Sequence, residues 1–226
     1  MAERPATPRS RAAPARVVDV ETPAGLARAH VRRPRGALGT LVLGHGAGGG
    51  VAAADLVAVA EAAVAASWAV ALVEQPWRVA GGRVAPAPAR LDLAWVPVLR
   101  ALRSGRGALP GPLVTGGRSA GARVACRTAE EVSADACVCL AFPLHPPGRP
   151  ERSRAAELSD VGGRPLLVVQ GERDPFGVPD EVRPVLPAGA RLVAVPGGHA
   201  LDSATATRGA ADAVVELLRQ LRGRSE

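Results

Sequence analysis

Leu113–Arg123 reads L-V-T-G-G-R-S-A-G-A-R. A short strand-like run, Leu113–Thr115, passes straight into Gly117-Arg118-Ser119-Ala120-Gly121, and the pattern after it suits a helix. A sharp strand-to-helix turn needs small residues on both sides so that a central serine can project in a strained conformation. The same letters also fit an ordinary glycine-rich turn. A serine hydroxyl is a poor nucleophile at neutral pH unless a base takes its proton and donors stabilise the oxyanion. The remaining chain must therefore supply a base, an acid to orient it and an oxyanion hole.

Around this turn the chain alternates short apolar runs with helical patterns. Val17–Glu21 and Leu26–Val31 alternate in polarity and suit an antiparallel pair at a sheet edge. Thr40–Leu43, Trp68–Val73, Leu113–Thr115, Ala136–Phe142, Leu166–Gln170 and Leu192–Val195 read as short apolar strands. Helices are expected over Val51–Ser67, Ala89–Arg103 with Pro97 as a kink or boundary, Ser119–Glu131 and Thr205–Leu221, with a loop over Glu74–Pro88. This alternation predicts an α/β fold, a mostly parallel central sheet covered by helices on both faces. Ligands bind such sheets at the carboxyl ends of the strands, so the informative loops follow strands.

Three more of those loops carry suitable chemistry. After the strand Leu166–Gln170 comes Gly171-Glu172-Arg173-Asp174-Pro175-Phe176, with Asp174 as the orienting acid and Glu172 as its competitor. Asp-Pro is also a common turn starter. After the last strand comes Pro196-Gly197-Gly198-His199-Ala200-Leu201, where two glycines leave His199 room to reach across as the base. After Leu43 comes Gly44-His45-Gly46-Ala47-Gly48-Gly49-Gly50, whose amides no side chain blocks. Ala47, with Gly48 as the alternative, and Ala120 at the serine turn are the candidate oxyanion donors. A phosphate loop is the rival for this glycine run, but the chain has no lysine for a G-x-x-x-x-G-K-S/T motif. The order Ser, Asp, His is that of α/β-hydrolases, not of chymotrypsin or subtilisin.

With these residues in place the chain resembles an α/β-hydrolase over about residues 17 to 222. More narrowly it is similar to the dienelactone-hydrolase-like branch that includes the testis-expressed hydrolase-like proteins and a subunit of the NSL histone-acetyltransferase complex. The stretches behind this are LVLGHGAGGG, the Ala85–Leu93 region, GGRSAGARVA, AFPLHPPG, GERDPFG and PGGHAL. The resemblance implies Ser119, Asp174 and His199 as a triad and Ala47 and Ala120 as oxyanion amides, and the expected serine hydrolase chemistry needs no cofactor. It also implies a second possibility, a non-catalytic scaffold or protein-binding module, since some eukaryotic members serve that way. Dienelactone hydrolases carry a cysteine nucleophile where this motif has Ser119, so their substrate does not transfer. Only about twenty residues separate Phe142 from Leu166, room for one short helix near Arg152–Leu158 and for little or no lid. An open site favours small acyl esters.

Composition narrows the setting. The 226 residues, 47% hydrophobic, suit one domain over residues 17–226 behind a disordered tail at 1–16. No run of 18 apolar residues escapes interruption, so no membrane span is expected. The tail lacks the apolar centre of a secretory signal, and three cysteines make no disulfide framework, so a cytoplasmic location is expected. The net charge of +7 comes entirely from arginines, scattered and without interleaved aromatics, as a GC-rich genome produces. No specific nucleic-acid binding is expected.

Several other residues carry two readings. Arg118 and Arg123 suit either an acidic substrate group or a structural contact in an arginine-rich chain. His145 suits the pocket wall or a proline-rich structural loop, and Trp77 suits the pocket or the core. Cys126, Cys137 and Cys139 lack metal spacing with histidine and read as small buried residues, so no metal site is expected. Oligomeric state is not set by any of these features.

Overall fold

A computed structural model describes residues 15–223. Its centre is an eight-stranded sheet: β1 (Ala15–Thr22), β2 (Gly25–Arg32), β3 (Thr40–Gly44), β4 (Ala69–Glu74), β5 (Leu113–Arg118), β6 (Ala136–Leu140), β7 (Leu166–Gly171) and β8 (Arg191–Val195). The order across the sheet is β1-β2-β4-β3-β5-β6-β7-β8. β2 runs antiparallel to both neighbours, and every other pairing is parallel. The first two strands form the expected antiparallel edge pair, in which Asp19 and Arg28 face each other. β1 begins at Ala15, so Ala15 and Arg16 are strand rather than tail; the rest of the expected tail, residues 1–14, lies outside the described residues.

Among the described residues there are seven α-helices: α1 (Ala54–Ala65), α2 (Pro76–Val79), α3 (Pro88–Leu102), α4 (Ala120–Thr128), α5 (Ala155–Ser159), α6 (Pro179–Val182) and α7 (Ala204–Arg222). The period-2 alternation of the strands sorts their side chains onto two faces. Leu41, Leu43, Val70, Val114, Val138, Leu140, Leu167, Val169 and Val195 point to the face covered by α1 and α7. Val42, Ala71, Val73 and Leu113 pack against α3, and Cys137, Cys139, Leu166 and Val168 against residues of α4 and α5. Both faces are buried, which is why the central strands read as continuous apolar runs instead of alternating ones.

Two expectations need adjusting. The loop over 74–88 contains the short α2, begun by Pro76, whose fixed φ suits a first helical position. Pro97 neither ends nor divides α3. The hydrogen bond it omits would go to the Leu93 carbonyl, and Leu93 is 53% exposed, where water can take that carbonyl. The long closing helix α7 is capped by Ser203, whose hydroxyl accepts from the Ala206 N–H at 3.2 Å. Between Leu140 and Leu166 there is only the short α5, so the strand ends carry no helical lid.

Candidate active site

The G-x-S-x-G turn adopts the strained geometry its sequence requires. Ser119 has φ +52° and ψ −110°, in the left-handed half of backbone space that non-glycine residues rarely occupy. Its N–H donates to Leu140 of the adjacent strand at 2.9 Å and its carbonyl accepts from Arg123 N–H at 3.2 Å, which hold the turn from both sides. Gly121 must be glycine because a Cβ there would sit on the carbonyl of Gly44. A Cβ at Gly117 would meet the same carbonyl. The serine turn thus packs directly on the end of β3, which brings the Gly44–Gly50 loop beside Ser119.

Asp174 and His199 come from neighbouring loops that are fastened together. Glu172 N–H donates to Val195 at 2.9 Å and Arg173 N–H to Gly197 at 2.8 Å. A Cβ at Gly171 would lie 2.5 Å from the Gly198 carbonyl, so close approach there also requires glycine. His199 Nδ1 lies 2.8 Å from Asp174 Oδ2 and 3.1 Å from Oδ1, and His199 Nε2 lies 2.9 Å from Ser119 Oγ. The carboxylate holds the proton on Nδ1 and leaves Nε2 as the acceptor for the serine hydroxyl. Three residues spread over 80 positions of the chain meet in one relay. Glu172, the competing acid, is exposed and takes no part in it.

Asp174 is buried at 1% exposure and its charge is met from several directions. Oδ1 accepts from Phe176 N–H at 2.9 Å, and Oδ2 accepts from Gln170 Nε2 at 3.0 Å. Gln170 also lies within donating distance of Gly177 O, 2.7 Å, and Phe142 O, 3.2 Å. The Phe176 ring packs on the imidazole of His199 with centroids 4.3 Å apart, limiting its rotation.

A cleft of about 470 Å³ opens over Ser119, lined by Ala47, Gly48, Gly49, Arg118, Ala120, Arg123, Pro143, Arg154, Phe176 and His199. Ala120 opens α4, so its N–H is one of the orphan donors at a helix start. Ala47 faces the same cleft from the β3 loop. His45 braces that loop: its Nε2 accepts from Gln75 N–H at 3.2 Å, and Nδ1 donates to Gly46 O at 2.9 Å. Burial lowers the His45 pKa, which favours the neutral ring this pattern needs.

Arg118 lines the cleft but spends its guanidinium on the protein. Nη2 donates to His199 O at 2.9 Å, and Nε lies 3.1 Å from Oδ2 of the fully buried Asp55. The latter pair is close but not aligned for a hydrogen bond, so it acts through charge. Burial pushes the Asp55 carboxyl up to about 6, against the opposing pull of Arg118. Arg123 is likewise occupied, donating from Nε to Glu157 at 2.7 Å within a two-pronged pair.

Two pocket candidates lie elsewhere. Trp77 stands on α2 behind the β3 loop, edge-on to His45 at 5.6 Å, and borders a separate groove of about 530 Å³. His145 supports the acid loop instead of the cleft: its N–H donates to Phe176 O at 3.0 Å and its ring is bonded to Pro146 O at 2.9 Å. The three cysteines are buried, with Cys126 and Cys139 sulfurs 3.4 Å apart. No cluster of metal-ligating side chains occurs among the described residues. No helix among them is long and apolar enough to cross a membrane.

Sequence reasoning did not single out Asp55, Arg154, Gln170 or Phe176. Gln170 had a signal, a polar side chain closing a fully buried strand, and so had Asp55, the one acid opening an alanine-rich helix. Arg154 is one of several arginines in a proline- and arginine-rich loop and had none.

A mostly parallel sheet with a strained serine after β5, an acid after β7 and a histidine after β8 defines the α/β-hydrolase class. Residues 37–216 match the family described as alpha/beta hydrolase domain, and the chain belongs to that family. No curated protein sequence matches it. Among solved structures it is similar to XC6422 of Xanthomonas campestris, described as an α/β serine hydrolase without lid. The two are 19% identical over 96% of this chain and 95% of that one, with a TM-score of 0.68. The dienelactone hydrolase of Anabaena variabilis is 21% identical over 92% and 97%, with a TM-score of 0.72. The esterase Pf2001 of Pyrococcus furiosus is 16% identical over 92% and 90%, with a TM-score of 0.74.

Proposed function

We propose that the protein is a cofactor-independent serine esterase acting on small acyl esters. The observation that carries this reading is the continuous relay from Ser119 Oγ to His199 Nε2 at 2.9 Å and from His199 Nδ1 to Asp174 Oδ2 at 2.8 Å. Ser119 attacks the acyl carbon while His199 takes its proton, and the imidazolium then protonates the departing alcohol. Asp174 keeps the imidazole in the reactive tautomer and stabilises its charged form. The amides of Ala47 and Ala120 receive the oxyanion, a contribution of about 3 kcal/mol for one donor. Water, activated by the same histidine, cleaves the acyl-enzyme. A short connection between β6 and β7, holding only α5, supports small water-soluble substrates over long lipids. A cytoplasmic location belongs to the same reading, supported by three cysteines that are all free.

The test is labelling by a fluorophosphonate probe of the wild type, Ser119→Ala and His199→Ala. Strong labelling lost in both variants supports an activated serine. A folded wild type that does not label refutes the esterase reading.

A further inference from the structure

We infer that Arg154 is a substrate-recognition residue of the cleft, and that the cleft takes esters bearing a carboxylate. The inference rests on the esterase reading and specifies its substrate class. Three arginines line the cleft together with Ser119 and His199: Arg118, Arg123 and Arg154. Arg118 lies against Asp55 and Arg123 is bound by Glu157. Glu157 is shared with Arg127, which also holds Asp92 at 2.6 Å. Asp174 is turned to His199. Among the described residues no carboxylate lies within ion-pair distance of Arg154, so the acids of this region are spent on other cations.

Arg154 is nonetheless held in place. Its Nη1 donates to Pro143 O at 2.9 Å, and its backbone N–H donates to Leu144 O at 2.7 Å. A guanidinium carries five N–H donors, and the side chain uses one. Burial, then the charge of Arg123, pulls the Arg154 pKa down, and the opposing pull of Glu157, which is itself paired with Arg123 and Arg127, does not offset them. An anchored, half-buried arginine with free donors in an open cleft matches a planar carboxylate, which it binds through paired hydrogen bonds. Because Arg154 and Ser119 line the same cleft, the carboxylate is part of the substrate molecule whose ester is cleaved.

Two probes separate the positions such a group can take. Monoethyl glutarate carries it on the acyl side and 4-acetoxybutanoate on the alcohol side; ethyl pentanoate and butyl acetate are their uncharged counterparts. Hydrolysis is followed by titration of released acid at low ionic strength, where charge recognition is least screened. The wild type is expected to favour at least one charged ester by about ten-fold or more in kcat/KM, the scale of a hydrogen bond to a charged group. Arg154→Gln is expected to bring that ratio near one, and Arg154→Lys to retain part of it. Free glutarate should slow fluorophosphonate labelling of the wild type and do so less in Arg154→Gln, a readout independent of turnover.

Absence of any preference in the wild type, or a preference unchanged in Arg154→Gln, overturns the inference. A wild type that labels yet shows no charge preference fails it while leaving the esterase reading intact. A wild type that does not label overturns both.

Discussion

Arg118 Nη2 donates to the backbone carbonyl of His199 at 2.9 Å, so the residue just before Ser119 holds the loop that carries His199. The same guanidinium reaches Asp55 on α1, and Gly46 packs close to its Nη1. One side chain thereby sets the spacing of the β3 loop, the serine turn and the histidine loop. In Arg118→Met His199 loses this tether. Because small displacements of a reacting group cost up to about 100-fold in rate, kcat for a simple ester is expected to fall about 10- to 100-fold. Steady-state kinetics alongside circular dichroism of the folded variant check this; an unchanged kcat would show the tether to be dispensable.

Asp55 gives the stability of the protein a particular pH dependence. Its folded pKa, about 6, stands above the ordinary 3.8, so between those values the native state binds more protons than the unfolded state. Stability from this group is therefore full below about pH 4 and declines as pH rises to about 6, by about 3 kcal/mol for a two-unit difference. Asp55→Asn cannot titrate and should lack this decline. Urea unfolding of both proteins at pH 4, 5, 6 and 7 measures the difference, and parallel curves would contradict the assignment.

Asp174→Asn should leave the fold in place while reversing the tautomer of His199, because the amide can donate toward Nδ1. A loss of kcat on the order of 10⁴-fold is expected, as for the equivalent change in other Ser-His-Asp enzymes. Gln170→Leu acts one step further out by removing the donor to Asp174 Oδ2 and Gly177 O. It should destabilise the protein by about 1–3 kcal/mol through the groups left unpaired. Thermal unfolding and kinetics on p-nitrophenyl acetate distinguish the two, since the first variant loses rate and the second loses stability.

The two glycine-rich loops differ in what their glycines do. Gly121→Ala would place a methyl on the Gly44 carbonyl, backbone against backbone, and is expected to unfold the protein or lower its stability by several kcal/mol, beyond the ordinary 0.5–3. Gly48→Ala meets nothing within 4 Å and should change stability by less than about 0.5 kcal/mol. Comparing the denaturant midpoints of the two variants tests whether glycine is required by contact or tolerated by space.

The sequence by itself determined the class of fold and the chain order of its chemistry. Strands buried on both faces are continuous apolar runs, and such runs followed by Gly117–Gly121 and by Asp174, like the short partly exposed run before His199, are readable because backbone sterics and hydrophobic periodicity are local. Local rules also placed Gly121 beside the serine, though not the Gly44 carbonyl that makes it necessary. What only the tertiary structure decided is which side chains meet. Arg118 turned to His199 and Asp55, His145 turned to the acid loop, Trp77 turned away from the cleft, and Arg154 was left facing it without an acid. An ion pair depends on distance in space, and Arg118 and Asp55 are 63 positions apart in the chain; no pattern along the chain records that the loops after β3, β5, β7 and β8 converge at one end of the sheet.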